Sequence, residues 1–379
     1  MARSPEDDTP VAETPTTPEA VAASLQAIRT QIDAVDLQLL ELINTRANLA
    51  TQIGKCKNDG KSEIFHPNRE AEVFGNVLSQ NHGPLGEVTI RAIYREIISG
   101  CRALQRMPKV AFLGPEHSYS HIATLTRFGE TVEFMEVGSI SAVFEEVTRK
   151  HVDYGVVPLE NSTDGRIVDS LDMFVRMPQI KICDEIRLSI HHNLLANCEQ
   201  SQIRKVYSKP QALSQCRNWL SKNVPNASMH EVTSTTAAAR LVQSEPDVAA
   251  VASRQAGVKY GINILCANIE DSSNNETRFA VIGSHHAKRT GKDKTALMFS
   301  TPHNPGALAD VLTVFKNNRV NITWIESFPS RETKGEYIFF IDFEGHLDES
   351  KVQDTIREVE SHCERIYVLG SFPLAKLEE

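Results

Sequence analysis

The sequence predicts a multidomain chain of α + α/β + α+β class, with a helical segment first, a mixed α/β segment second and a ferredoxin-like segment last. Three observations predict it. The 379 residues exceed the roughly 100 to 200 of a usual single domain. Apolar residues spaced by threes and fours give way at Met107-Pro108 to short apolar runs divided by turns. The C-terminal segment reads β-α-β-β-α-β, the order of a ferredoxin-like unit.

The opening "MARSPEDDTPVAETPTTPEA" is acidic and lacks the apolar core of a secretory signal, so residues 1–20 read as a disordered leader. The helical domain is expected over 21–107. From Ser24 to about Asn58, Leu25, Ile28, Ile32, Val35, Leu39, Leu42, Leu49 and Ile53 form one apolar stripe without Pro. A helix of that length spans about 50 Å and needs partner helices to cover the stripe. Two further helical patterns follow, after Pro67 and from about Gly86 to Gln105.

Three cations stand on the long helix. Arg46 and Lys57 project within about 20° of each other, roughly 16 Å apart along the axis, and could reach one small anion. Arg29 lies roughly 25 Å from Arg46 on a different face, so a ligand shared by all three requires Arg29 from a second subunit and an intertwined homodimer. Taken on spacing alone, the three also fit solvated cations on a coiled-coil-like helix.

The mixed α/β domain is expected over 108–285. The runs "DYGVVPLE", "IRLSIHHNLLA", "KVYS", "DVAAVAS" and "RFAVIG" read as strands, and "SISAVFEEVTRK" and "TTAAARLVQS" as helices. The stretch "EDSSNNETRFAVIG" sets a long polar run against a short apolar strand, as a binding site at a strand end or a solvated loop would. A charged linker, "HHAKRTGKDK", leads to the last domain, 294–375.

A formal charge of −9 without a dense Lys/Arg block argues against nucleic acid as a partner. No apolar run approaches the roughly 20 residues of a membrane span. Seven scattered cysteines without a CxxC pair read as reduced thiols in a cytoplasmic protein. The doublets His191-His192 and His285-His286 lack metal-ligand spacing, and no metal or organic cofactor is expected.

"AIRTQIDAVDLQLLELINTRANLATQIGKCK", with "FHPNREAEV" and "IISGCRALQ", resembles the all-helical chorismate mutase domain. The resemblance implies cationic contacts from Arg29 of a partner subunit, Arg46 and Lys57, with Glu70, Cys101 and Gln105 completing the pocket and His66 at a position where the family often has a carboxylate. Conversion of chorismate to prephenate is pericyclic and needs neither nucleophile nor proton transfer, so catalysis reduces to holding the reactive conformer and stabilising charge. Two arginines suit two carboxylates. Lys57 and Gln105 would donate to the ether oxygen, and Glu70 would accept from the ring hydroxyl.

"GPEHSYSHIA", "VVPLENSTDGRI", "SKPQALSQC", "TSTTAAA" and "NNETRFAVIG" together resemble the prephenate dehydratase domain, which implies a two-lobed α/β, periplasmic-binding-protein-like fold with its site in the cleft. The family's catalytic Thr corresponds to Thr277, with Glu160 as a rival proton donor. Asn161, Ser162, Ser118, Ser120, Gln211, Thr235, Thr236 and Arg278 are the implied substrate contacts. His117 occupies a position where the family has Gly.

"NPGALADVL" and "WIESFPS" resemble the two phenylalanine-binding motifs of an ACT domain, so Asn304, Pro305, Gly306, Ala307, Leu308, Glu326 and Ser327 are implied effector contacts. Phe328 stands where that motif normally carries Arg; the domain could also serve dimer contacts alone. The implied protein converts chorismate to prephenate and prephenate to phenylpyruvate, responds to L-phenylalanine, and forms a homodimer through its helical domain or a tetramer. Two alternatives stay open: an arogenate-using dehydratase, and a non-catalytic aromatic-acid sensor.

Overall fold

The computed structural model describes residues 17–56, 65–163, 165–329 and 337–378, so Lys57 lies outside the described residues. The chain divides into two compact units, 1–60 and 61–379. The first holds α1 (Pro18–Cys56). It begins earlier than Ser24, inside the stretch read as leader, because Pro18 at the first helical turn loses no hydrogen bond there. Its 39 residues make it about 58 Å long. None of them is buried, and all eight stripe residues are exposed.

The second unit opens with α2 (Pro67–Ser79) and α3 (Glu87–Ala103). The first lobe of the α/β domain contains β1 (Lys109–Leu113), α4 (Tyr119–Phe128), β2 (Glu133–Val137), α5 (Ile140–Thr148), β3 (Tyr154–Asn161), β4 (Gly165–Arg166), α6 (Val168–Arg176) and β5 (Lys181–Ser189). The second lobe contains β6 (Asn193–Ala196), β7 (Lys205–Ser208), α7 (Pro210–Gln215), α8 (Arg217–Asn223), β8 (Ser228–Glu231), α9 (Thr235–Ser244), β9 (Val248–Ala252), α10 (Arg254–Tyr260) and β10 (Ile264–Cys266). The chain then returns to the first lobe as β11 (Glu276–Gly283). The last domain comprises β12 (Asp293–Ser300), α11 (Ala307–Asn317), β13 (Ile322–Pro329), β14 (Tyr337–Glu344), α12 (Ser350–Glu360) and β15 (Arg365–Pro373), and β16 (Leu377–Glu378) closes the chain.

Strand order in the first lobe is β16-β5-β11-β3-β1-β2, with β4 paired to β3; in the second it is β10-β6-β9-β7-β8. This is the two-lobed architecture the resemblance implied. "IRLSIHHNLLA", read as one strand, is two strands in different sheets, because the chain crosses between lobes at His191-His192. The polar run before Thr277 is the return crossing. The crossings run side by side: Ile190 N–H donates to the Asn275 carbonyl and Ile269 N–H to the His192 carbonyl, each at 2.8 Å.

The last sheet has the order β13-β14-β12-β15, with both helices on one face, as in a ferredoxin-like fold. Its other face packs on the first lobe: Ala296, Met298, Phe328, Phe340, Leu369 and Phe372 share one core with Val157, Leu159, Ile182, Ala280 and Ile282. Gly370 permits the closest approach, since a Cβ there would stand 2.2 Å from the Ile182 carbonyl oxygen. The charged linker is docked along this domain. Ala287 is buried, its N–H donates to Ser371 O at 3.0 Å, and the Asp293 carboxylate collects N–H groups from Thr290 and Gly291.

Nor is the helical segment closed at Met107. Phe65, just before α2, is fully buried beside Phe128 and Tyr154 with ring centroids 4.7 and 5.3 Å away. Burial of such a side chain contributes about 2–3 kcal/mol.

Candidate functional site

Strand β11 lies between β3 and β5, so its alternate side chains meet two different environments. On the face toward the second lobe is Thr277, opposite Asn161 on β3. Asn161 Nδ2 donates to Thr277 Oγ1 at 2.9 Å and to Asn275 Oδ1 at 3.0 Å. Its amide orientation is fixed, because Oδ1 accepts the Thr163 backbone N–H at 2.9 Å and a backbone N–H can only donate. Thr277 therefore uses a lone pair on Asn161 and keeps its hydrogen to give. A hydrogen bond received at the oxygen also polarises that O–H outward.

The same network crosses to the second lobe. Gln215 on α7 donates Nε2 to Asn161 Oδ1 at 3.3 Å, and its Oε1 accepts from Asn275 Nδ2 at 2.8 Å and lies 2.8 Å from His192 Nε2. Tyr119 O–H donates to the His191 carbonyl at 2.6 Å and stands 3.3 Å from His192 Nδ1. Burial pushes the Tyr119 phenol far above its ordinary pKa, so it acts as a neutral donor. Glu270 clamps the crossing through His191 Nδ1 at 2.7 Å and His192 N–H at 2.9 Å. Gln215, Asn275, His192, Tyr119 and Glu270 were not singled out by the sequence reading. Gln215 stands in the same motif as Gln211, and His192 in a doublet read as ordinary loop.

Ser162 tightens the far end, its Oγ donating to the Asn274 carbonyl and accepting the Glu276 N–H. Ser118 caps α4 by accepting the His121 N–H at 3.4 Å, and donates to Leu113 O. Ser120, Thr235 and Thr236 are buried, the threonines in the first turn of α9, and Thr236 Oγ1 has no hydrogen-bond partner among the described residues. Gln211, by contrast, is exposed on α7. His117 has a positive φ of 64°, a conformation that favours glycine, and its carbonyl accepts from Ser253 of the second lobe at 3.5 Å.

Two expected cleft residues lie elsewhere. Arg278 points to the opposite face of the sheet from Thr277, where Nε meets Glu185 Oε2 at 2.9 Å and NH2 meets Asp342 of the last domain. Its guanidinium also stands 5.2 Å from the Trp324 ring centroid. Glu160 is on the same side, accepting a hydrogen bond from Trp324, and burial followed by nearby carboxylates raises its pKa against the pull of Arg278. Arg278 faces away from Thr277 because successive side chains of a strand alternate; for Glu160 the reason is a register shift, since Arg278 pairs with Glu160 but Phe279 with Pro158, so Leu159 is an extra residue on β3. A bulge of this kind re-aims the side chains beyond it, turning Asn161 rather than Glu160 toward Thr277.

In the last domain Gly306, at φ 91°, introduces α11, a left-handed conformation that suits glycine. Asn304, Pro305 and Gly306 are exposed, and Ala307 and Leu308 half-buried, at that helix start. Ser327 is exposed, whereas Glu326 pairs with Arg166 of β4 at 2.8 Å, so the two point to opposite faces of β13. Phe328, in the usual Arg position, is buried in the shared core.

Arg29 and Arg46 lie on α1, one exposed and one half-buried. In the second unit His66 precedes α2, Cys101 is buried on α3 and Gln105 lies just beyond it, half-buried. Glu70 is buried between two guanidiniums, with Oε1 2.8 Å from Arg102 and Oε2 2.8 Å from Arg127 of α4. Beside it a cavity of about 480 Å³ is lined by Glu70, Arg91, Arg95, Arg102, Arg127 and Lys376, among others.

The architecture and the hydroxyl-amide site define a multidomain enzyme built from recognised modules. Family models match in succession: chorismate mutase type II over residues 28–106, prephenate dehydratase over 110–287 and ACT domain over 295–361. The bifunctional chorismate mutase/prephenate dehydratase of Aquifex aeolicus is 41% identical over 94% of this chain and 99% of its own, and that of Pseudomonas aeruginosa is 40% identical over 93% and 98%. The prephenate dehydratase of Arthrobacter aurescens, solved in complex with L-Phe, superposes with TM-score 0.65 at 30% identity, covering 70% of this chain and 90% of that one. The chain belongs to the bifunctional chorismate mutase/prephenate dehydratase family, and is an enzyme with an isomerase and a lyase activity.

Proposed function

We propose that the chain rearranges chorismate to prephenate and then converts prephenate to phenylpyruvate, with L-phenylalanine as feedback effector. The observation that carries the second step is the Thr277–Asn161 pair, in which the threonine keeps a free, polarised hydrogen. Prephenate loses its ring hydroxyl and carbon dioxide together and becomes aromatic, so a neutral donor aimed at the departing hydroxyl suffices where a strong acid would otherwise be needed. Thr277 is that donor. Glu160 is not, because it faces the ACT sheet. Ser120, Thr235 and Thr236, buried and at or near helix starts, are suited to the substrate carboxylates.

In the mutase step Arg29 of a second copy, Arg46 and Lys57 hold the two carboxylates and the ether oxygen, with Gln105 donating and Glu70 accepting. The exposed apolar stripe of α1 supports the homodimer this requires, since a helix of that length cannot leave such a stripe in water. The L-Phe bound to the Arthrobacter relative supports phenylalanine as the effector. All seven cysteines are free thiols, which suits a reducing compartment such as the cytoplasm.

Purified protein given chorismate should accumulate phenylpyruvate, and less of it with phenylalanine present. Prephenate that accumulates without phenylpyruvate would overturn the dehydratase half. A parallel reaction with arogenate distinguishes the two dehydratase substrates.

A further inference from the structure

We propose that Arg278 is a positioning residue for the dehydratase reaction, through which the ACT sheet sets the placement of the Thr277 hydroxyl. Thr277 and Arg278 are neighbours on β11 and point to opposite faces, so any shift of one along the strand moves the other. On the cleft side Thr277 is held by Asn161. On the other side Arg278, with its side chain 8% exposed, is gripped by three groups: Glu185 of β5, Asp342 of β14 and the ring of Trp324 on β13. Two of the three belong to the ACT sheet.

The grip extends to the second strand of the site. Glu160, paired with Arg278 across β3, accepts from Trp324, and Glu326 two residues further along β13 reaches Arg166 on β4. Gly165 of β4 is paired with Asn161 itself. One ACT strand thus holds, from behind, both chains that carry the Thr277–Asn161 pair. Lys294 of β12 completes the charge set, 3.4 Å from Glu185. Two cations then face Glu160, Glu185 and Asp342, buried or half-buried, and removing one partner leaves another charge uncompensated. A network under that constraint moves as a unit or not at all, and β13 is the strand that carries the second effector motif, from Trp324 through Glu326 and Ser327.

The regulatory part of this proposal rests on the phenylalanine reading; the positioning part does not. The test compares Trp324→Leu, Trp324→Phe and Asp342→Asn in the full-length protein. It measures dehydratase kcat and KM, mutase activity, thermal midpoint and phenylalanine response. Trp324→Leu and Asp342→Asn are expected to lower dehydratase kcat about tenfold, as a small misplacement of a reacting group does, with KM and mutase rate within about twofold. Trp324→Phe, which keeps a ring over Arg278, should restore most of the rate. The first two variants should also lose most of the phenylalanine response. Unchanged kcat in both overturns the proposal, as does a fall in kcat matched by equal loss of mutase activity and not rescued by Trp324→Phe. If the wild type ignores phenylalanine while the variants still lose dehydratase kcat, the feedback reading fails and the positioning role stands. If the wild type and the variants respond to phenylalanine alike, Arg278 does not carry the signal.

Discussion

Helix α1 and strand β11 make opposite uses of their sequences. The long helix has a stripe that is plain from spacing, yet none of its 39 residues is buried. The strand is eight residues long and buried from Thr277 to Gly283, yet "ETRFAVIG" alone shows no sign of which side chain serves which neighbour. In a helix, side-chain directions follow from counting at 100° per residue, so the separation of Arg29 from Arg46 could be calculated. In a strand between two others, direction alternates but can be reset by a single extra residue opposite. The helix shows its pattern in sequence spacing; the strand shows its pattern only in its contacts.

The largest effect that would break this contrast is expected at β11. Thr277→Ala should reduce phenylpyruvate formation by about 10² to 10⁴, the range for losing a positioned proton donor, while prephenate still forms from chorismate. Loss of both activities together would indicate misfolding. On α1, Arg29→Ala and Arg46→Ala should each lower mutase activity about 100-fold, since each removes a charged hydrogen bond to a carboxylate. Mixed one to one after dissociation, they should recover about a quarter of the wild-type sites, because half the dimers are hybrids with one intact site each. No recovery would remove the shared-site reading.

The network in the cleft gives a smaller and more local comparison. Gln215→Leu leaves Asn275 and His192 short of a buried partner and should cost about 1–3 kcal/mol of stability, with slower dehydratase turnover, whereas Gln211→Ala, at an exposed position, should change either by little. Equal effects would mean that the crossing network is not part of the site. The smallest effect is expected behind the sheet. Burial raises the pKa of Glu160 in the folded chain, so its contribution to stability is full below the ordinary carboxylate pKa and is lost as pH rises through the folded value. Glu160→Gln cannot ionise. Its thermal midpoint should therefore gain on the wild type as pH rises above the ordinary glutamate value of about 4, and a gap that narrows would reverse the assignment.

Much of the fold was legible. The helices α1 to α3, the change of period at Met107-Pro108 and the β-α-β-β-α-β order of the last domain all follow from apolar spacing. The lobe crossing at His191-His192 was not, because an apolar run gives no sign of where a chain leaves one sheet for another when both strands are buried. Candidate residues divided in the same way. Thr277, Asn161 and Ser162 lie together where β3 and β11 meet the lobe crossing, while Arg278, Glu160 and Glu326 turn toward the domain interface. That Gln215 and not Gln211 joins the crossing network was illegible for a plain reason: on a short helix with a half-buried face, two glutamines four residues apart look alike until the facing strand is in place.

The sequence by itself determined the three successive architectures and the order in which they follow one another. Local spacing and composition suffice for these, because they depend on neighbours along the chain. Only the tertiary structure decided that Leu159 is the extra residue of β3, that Asn161 and not Glu160 therefore faces Thr277, and that Phe328 and Trp324 of the last domain meet the back of the first lobe's sheet. Those outcomes depend on register and on packing between segments far apart in the chain, where a shift of one residue exchanges one face for the other.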